Sequence, residues 1–188
     1  MYVTIGLGLW LLGDIFWCVY IGNGLEPFPS IADLWYLLGY VFLGIGFVMT
    51  RNEESQKLSK KLKLSGLAFL AIISMLVIYF GIFQAYDAEA SFMANAINLI
   101  YGGSDLFLLY LLALLCMQAV EYRGAKFFWP WAILGLAMFS MLAGDVIYAM
   151  VSNVYTSGAN MEVLADILFG VSYILFAFGF VRMNRIIS

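Results

Sequence analysis

Five aspartates lie within or at the edge of long apolar segments, and they are the residues best suited to do chemistry. They are Asp14, Asp33, Asp105, Asp145 and Asp166. On membrane-insertion scales, an aspartate near the middle of a spanning helix costs about 2.5–3.5 kcal/mol. Acids in such positions usually face a bundle interior, where they hold ions, protons or ligands. The chain has no histidine, so it lacks the usual neutral-pH proton carrier and the commonest metal ligand.

Each aspartate also has a structural interpretation, as a helix cap or as a polar contact between helices. This interpretation is favoured for Asp33 and Asp166, which we expect in the first turns of their helices, where a carboxylate complements the helix dipole. For Asp14, Asp105 and Asp145 we favour a polar functional pocket. Counted along helices of alternating direction, all five fall in the middle-to-outer half of the membrane, which predicts a cavity that opens outward.

Three tyrosines are spaced to share hydrogen bonds with these acids. Tyr36 and Tyr40 follow Asp33 by three and seven residues, and Tyr101 precedes Asp105 by four, so each pair shares a helical face. The lysines and arginines lie at or beyond the opposite ends of the apolar segments, so none is available to pair with these acids. Some carboxyl groups must therefore be protonated, hydrated or bound to a cation. The predicted ligand-binding residues are Asp14, Asp33, Asp105, Asp145, Asp166, Tyr36, Tyr40 and Tyr101. The pattern predicts neither catalytic residues nor metal ligands, and it indicates no particular cofactor.

The composition shows which elements must position these residues. The chain is 64% hydrophobic and 11% charged, whereas a soluble domain carries about 25% charged residues. Apolar segments long enough to cross about 30 Å of hydrocarbon predict an all-α, polytopic membrane bundle forming a single transmembrane domain over residues 1–188. The six predicted spans are 2–22, 31–50, 64–85, 95–119, 127–151 and 163–184. Ser30 is predicted to cap the second helix, and Pro130 to lie in the first turn of the fifth.

The cations predict the orientation of this bundle. All nine lysines and arginines fall at 51–63, 123–126 and 182–185, which lie on one side of a six-span arrangement. The charged residues of the alternate loops are all acidic, namely Glu26, Asp87, Glu89 and Glu162. The positive-inside rule then places both termini in the cytoplasm.

The first two predicted helices resemble the last two. The matched segments are 13–17 with 144–148, 32–40 with 165–173, and 46–48 with 179–181. Each copy begins with Gly-Asp and has an aromatic residue three positions after the acid, Trp17 in one and Tyr148 in the other. Because both copies run from inside to outside and back, they predict a parallel repeat about an axis along the membrane normal.

Glycines precede three of the acids. They are Gly13, Gly102, Gly103 and Gly144. Small residues in membrane helices allow neighbouring backbones to approach closely. We therefore predict close-packing positions here rather than phosphate-binding loops.

The segment Pro29–Tyr40, PSIADLWYLLGY, carries a family resemblance together with the GD-x-x-[WY] pattern at Asp14 and the stretch Tyr101–Asp105. The chain resembles the multi-helix membrane modules that precede GGDEF/EAL or histidine-kinase domains in prokaryotic signalling proteins. Here the third element lacks the proline usual in those modules. The resemblance implies a sensory input role in the plasma membrane of a prokaryote.

Three functions are compatible with these patterns. The first is a sensor or ligand-binding module, to which the motifs and the acidic pocket point. The second is a small proton- or cation-coupled transporter, suggested by the repeat and the membrane acids. The third is a membrane-embedded lipid hydrolase with aspartates in acid/base roles. It is the weakest of the three, because the chain lacks histidine and a GxSxG motif.

The same patterns define the candidate partners. These are membrane lipid, a small cationic or lipophilic ligand, a cytoplasmic signalling domain or protein, and further copies of the chain in a homo-oligomer. Nucleic acid is not expected, because the cations lie beside the predicted spans and form no separate basic domain.

Overall fold

The computed structural model describes residues 1–53, 58–80, 86, 88–123, 125–152 and 159–187. This described part of the chain forms six α-helices and contains no strand, which confirms the all-α prediction. The helices are α1 (Tyr2–Gly22), α2 (Ile31–Glu53), α3 (Lys60–Val77), α4 (Phe92–Gln118), α5 (Ala125–Ser152) and α6 (Ala159–Ile187). A π-helical turn, Ala119–Arg123, continues α4.

All these helices are long and apolar enough to cross a membrane, as the hydropathy pattern predicts. Several begin earlier than their predicted spans, for example α3 at Lys60 and α6 at Ala159. The reason is that backbone hydrogen bonding continues into polar residues, whereas hydropathy detects only the apolar part. The predicted end of the third span, 81–85, lies outside the described residues.

The helix starts test two further predictions. Ser30 caps α2, since its hydroxyl oxygen accepts a hydrogen bond from Ala32 N at 3.1 Å. Pro130 does not lie in a first turn, because α5 already begins at Ala125 and makes it the sixth helical residue. Proline has no N–H, so the carbonyl four residues earlier, at Lys126, loses its helical partner.

Helix α4 is the centre of the arrangement and packs against α2, α3 and α5. Helix α1 packs on α2, and α6 packs on α5, so the chain forms two helical hairpins beside α4. Side chains join the outer helices of these hairpins, with the rings of Trp10 in α1 and Phe176 in α6 separated by 5.9 Å. The hairpins thereby enclose the space between them.

Glycines bring the first two helices into backbone contact. A Cβ added at Gly6 would lie 2.9 Å from the carbonyl oxygen of Gly39 and 2.7 Å from Leu43 Cγ. A Cβ at Gly39 would meet the Trp10 ring at 2.3 Å. No side chain larger than hydrogen fits these positions without separating the helices.

The two ends of the bundle have different interiors. The end near the cations contains mainly large apolar side chains. The largest fully buried ones are Trp10, Leu43, Phe47, Leu108, Leu112, Leu115, Leu134, Met138 and Phe176. The other end contains the buried acids Asp33 and Asp105.

The outward surface is apolar along much of its length. Helix α3, at the edge of the bundle, exposes more than half of the surface of Leu64, Phe69 and Ile72. Ile15 of α1 and Ile174 of α6 are exposed in the same way. A surface of this kind is suited to lipid, and a water-soluble domain rarely exposes contiguous apolar area on this scale.

We expect Gly6→Ala to lower the free energy of unfolding by about 1–3 kcal/mol, because the new methyl group overlaps the α2 backbone. Thermal unfolding of the detergent-purified protein measures the change. Gly8→Ala is the matched control on the same helix, since nothing lies within 4 Å of its added Cβ. It should be neutral or stabilise by about 0.5–1 kcal/mol. Equal effects of the two changes would contradict the close contact between α1 and α2.

Candidate functional site

A cavity of about 390 Å³ lies between the two hairpins, at the end of the bundle away from the cations. This volume falls within the range of small-molecule sites. Most of its wall is aromatic or aliphatic, and Val77 is the residue that α3 contributes. All eight residues predicted as a ligand-binding set line this cavity: Asp14, Asp33, Asp105, Asp145, Asp166, Tyr36, Tyr40 and Tyr101. The structure thus brings together residues from α1, α2, α4, α5 and α6.

Asp105 and Asp145 form a carboxyl pair at the floor of the cavity. Their carboxyl groups lie within hydrogen-bonding reach of each other. The Tyr40 hydroxyl donates to Asp105 Oδ1 at 2.5 Å and lies 3.3 Å from Asp145 Oδ2. A hydroxyl has one proton to donate, so Tyr40 cannot fully satisfy both acids.

Asp105 is the most enclosed of the acids, with no exposed surface. Its second oxygen, Oδ2, accepts no hydrogen bond from a donor in the described part of the chain. The neighbouring Asp145 carboxyl can donate to it only when protonated, because ionised carboxylates are acceptors alone. A buried acceptor without a donor costs about 1–3 kcal/mol, so this atom marks a place where a proton or a ligand donor belongs.

Asp14 accepts hydrogen bonds from two tyrosines on different helices. Tyr36 of α2 donates to Asp14 Oδ1 at 2.8 Å, and Tyr173 of α6 donates to the same oxygen at 3.1 Å. Asp14 therefore connects α1 both to α2 in its own hairpin and to α6 in the other hairpin.

Asp33 has the capping role that its position near a helix start predicts. Its Oδ2 accepts from Ser30 N at 2.6 Å while Ser30 caps Ala32 N, which together form a capping box. Its other oxygen, Oδ1, accepts from the Tyr101 hydroxyl at 2.8 Å. The side chain thus both begins α2 and contacts α4.

Asp166 does not have the predicted position in a first turn. Helix α6 starts at Ala159, seven residues earlier, so no free N-terminal amide is near for Asp166 to cap. Its side chain is exposed at the cavity, and none of the described residues donates a hydrogen bond to it. The capping interpretation is therefore wrong for this acid.

The expected pairing of tyrosines with acids on their own helices is also wrong. Tyr36 bonds Asp14, Tyr40 bonds Asp105, and Tyr101 bonds Asp33. Every partner belongs to another helix. A tyrosine hydroxyl stands far from its own backbone, so it reaches across the bundle more easily than along its own helix face.

The sequence-based set omitted several aromatic residues that complete the site. Tyr173 bonds Asp14, and Tyr148 packs edge-on against Trp17 with ring centroids 5.6 Å apart. Phe28, from the loop between α1 and α2, packs against Tyr148. The signal for Tyr148 and Tyr173 was present, because both occupy matched positions of the repeated segments.

The glycines beside the acids differ in role. A Cβ at Gly13 or at Gly144 would lie 2.6 Å from a ring atom, of Tyr36 and of Phe169 respectively, which confirms close packing at both. At Gly102 the nearest atom would be 3.5 Å away, and at Gly103 nothing lies within 4 Å. The packing prediction is wrong for these two, because they face no neighbouring helix closely.

Among the described residues, no group of three or more histidine, cysteine, aspartate or glutamate side chains is arranged to hold a metal ion. The described residues that line the cavity include no lysine or arginine. The site can therefore accept hydrogen bonds and attract positive charge, and its aromatic faces can bind a cation or an apolar group.

We expect Tyr40→Phe to lower the free energy of unfolding by about 1–3 kcal/mol, because it removes the donor to a fully buried carboxyl group. Chemical or thermal unfolding in detergent measures this. Tyr110→Phe is the control, since Tyr110 is 37% exposed on α4 and should change stability by less than about 0.5 kcal/mol. A Tyr40→Phe protein as stable as wild type would show that Asp105 does not depend on this hydroxyl.

Comparison of the chain with protein-family models, with curated proteins and with solved structures found no match in any of the three. The resemblance to membrane input modules therefore rests on the motif residues alone. A functional conclusion has to come from the geometry of the cavity.

Proposed function

We propose that the protein is an integral membrane sensor module that binds a small cationic or lipophilic ligand in its acidic cavity. The observation that carries this proposal is that the polar cavity occupies only one end of the bundle interior. Carboxyl and tyrosine groups surround a cavity at one end, and close-packed apolar side chains fill the other. Such a site can bind a ligand without transporting it across the membrane.

The cavity opens to the outer face of a prokaryotic plasma membrane in this proposal. Phe28 and Asp33, at the loop between α1 and α2, lie on its wall. The described lysines at the start of α3 and the arginines near the end of α6 belong to the opposite helix ends. The positive-inside rule then assigns the termini to the cytoplasm and the cavity to the exterior.

An internal repeat underlies the site in this proposal, and reciprocal contacts support it. Tyr173 bonds Asp14, while Tyr40, its counterpart in the first copy, contacts Asp145, the counterpart of Asp14. Trp17 and Tyr148 are counterparts and pack against each other. Contacts of this kind are expected where two similar units face each other across a two-fold axis.

Signalling follows from the position of the cavity between the two hairpins. If the two hairpins can adopt two spacings, a ligand that binds more tightly to one of them increases the fraction of molecules with that spacing. The shift in free energy cannot exceed the difference between the ligand's binding free energies for the two conformations. Helix α6 ends in the basic C-terminal stretch, so its displacement would reach the cytoplasmic surface. A cytoplasmic signalling domain or protein would read that displacement, as the resemblance to input modules implies.

A proton- or cation-coupled transporter is the second candidate, and the Asp105–Asp145 pair favours it. Carboxyl pairs in membranes can carry protons or cations. Transport also needs a path to the other side, and Leu112, Leu115 and Leu134, all fully buried, fill the route. Flux in proteoliposomes that follows an imposed pH or ion gradient would establish this function. The described residues that line the cavity include no serine, so the lipid hydrolase would have to rely on the aspartates alone.

We expect a ligand to raise the thermal stability of the wild-type protein and not that of Asp14→Asn, Asp105→Asn or Asp145→Asn. The test panel contains inorganic cations, amines and neutral lipophilic compounds. At about one hundred times its dissociation constant a ligand adds roughly 2.7 kcal/mol, which thermal unfolding detects.

Glu26→Gln is the control for that experiment. It removes one acidic charge from the loop between α1 and α2 without touching the cavity lining, so it should respond as wild type does. If no compound shifts the wild-type transition, or if the shift survives in all three Asp→Asn variants, the ligand-binding proposal fails.

We expect Glu26→Cys to react with a membrane-impermeant maleimide in intact cells. Lys61→Cys should react only after the cells are permeabilised. Both changes are made in a Cys18→Ser, Cys116→Ser background, because these two native cysteines are free. The reverse labelling pattern would invert the proposed orientation and turn the cavity toward the cytoplasm.

A further inference from the structure

The floor of the cavity combines buried acceptors with a lack of positive charge. Asp105 Oδ2 is buried and has no donor among the described residues. The adjoining Asp145 carboxyl is partly exposed and lines the same cavity. A group that fits here must supply hydrogen-bond donors to two carboxyl groups.

The remaining groups around this pair supply few protons and no cation. Tyr40 faces it from α2 and Tyr101 from α4, while Tyr173 approaches Asp145 from α6. From α1, Asp14 lines the same cavity, but it takes its hydrogen bonds from Tyr36 and Tyr173. Two further acids are on the wall, Asp33 of α2 and Asp166 of α6. Helix α3 contributes Val77, which does not titrate. The site therefore has acceptors in excess of donors.

Charge balance limits what can occupy the floor. Unpaired charges in a low-dielectric interior are costly, and such groups neutralise by binding a proton or a counter-ion. Since no lysine or arginine is found in the described lining, protons must neutralise the pair whenever no other cation is bound. A cation that enters can replace one proton and leave the total charge unchanged.

The geometry of the site selects among cations. A primary ammonium group carries three N–H donors, which match Asp105 Oδ2 and the Asp145 oxygens, whereas a quaternary ammonium group carries none. The volume of about 390 Å³ far exceeds that of an ammonium group. The walls beyond the acids, including Trp17, Phe28 and Val146, are suited to an apolar chain.

We propose that Asp105 and Asp145 bind the primary ammonium group of an alkylamine-like ligand, in exchange for one proton released to solvent. The inference rests on the proposed ligand-binding function and specifies its ligand class. The bound ammonium replaces the proton of the carboxyl pair, and its apolar chain lies against the aromatic walls. Because ammonium and proton compete for the pair, raising the pH should tighten binding, by up to about tenfold per unit while the exchange is complete.

Isothermal titration of the full chain in detergent tests this proposal with three probes of equal chain length: hexylammonium, hexyltrimethylammonium and hexanol. Titrations at pH 6 and pH 8, in buffers of different ionisation enthalpy, count the protons released. We expect hexylammonium to release about one proton and to bind more tightly at pH 8. Hexanol should release none, and hexyltrimethylammonium should bind at least about tenfold more weakly than hexylammonium.

The variants assign the effect to the pair. Asp145→Asn and Asp105→Asn should each weaken hexylammonium binding by at least about tenfold, because each removes one of the two acceptor groups, whereas Glu26→Gln should behave as wild type. The proton count is made on the wild-type protein, so it remains decisive if a variant does not fold. Hexylammonium binding without proton release overturns the exchange. Saturable hexanol binding of equal strength would overturn the ammonium preference while leaving a ligand-binding cavity. If no probe binds saturably, the inference fails, while the proposed function fails only if the wider panel of inorganic cations, amines and lipophilic compounds also leaves the wild-type transition unshifted.

Discussion

The organisation of this bundle depends on one electrostatic constraint: in the part of the chain that the structure describes, the acidic interior contains carboxyl groups but no basic side chain to pair with them. Tyrosine hydroxyls take the place of cations as hydrogen-bond donors. Asp14, Asp33 and Asp105 each accept from a tyrosine on another helix. These bonds connect α2 to α1 and to α4, and Tyr173 of α6 also donates to Asp14. The groups that make the cavity polar therefore also hold its walls together. Donors remain fewer than acceptors, and the shortage is concentrated at Asp105 and Asp145.

A second consequence is the division of the interior into two zones. Leucine, methionine and aromatic side chains close one end, while the acids and tyrosines surround a cavity at the other. Glycines permit this arrangement, because Gly6 and Gly39 let α1 approach α2 closely enough for Trp10 to donate from Nε1 to the Tyr36 carbonyl at 3.1 Å. A cavity at one end and a packed core at the other suit the proposed ligand-responsive role more than a transport role.

Much of the fold could be predicted because a bilayer requires long apolar helices, whose length and composition are visible in the sequence. The acids that line the cavity could be predicted as well, because counting along helices of alternating direction places them at comparable depths. Gly13 and Gly144, each directly before an aspartate, could be identified as packing positions, whereas Gly102 and Gly103 also precede an acid but make no unusually close contact. Local pattern does not reveal which side of a helix has a neighbour.

The sequence by itself determined the six apolar helices, the cap at Ser30 and the set of acids that share a cavity, because these depend on residue type and on spacing along one helix. Only the tertiary structure decided which hydroxyl meets which carboxyl group. Tyr36 reaches Asp14 rather than Asp33, and Tyr40 meets Asp105, because a tyrosine side chain extends beyond its own helix and its partner is set by helix packing. The structure also decided where α6 begins. Backbone hydrogen bonding continues past the apolar segment as far as Ala159, so Asp166 is not in a capping position.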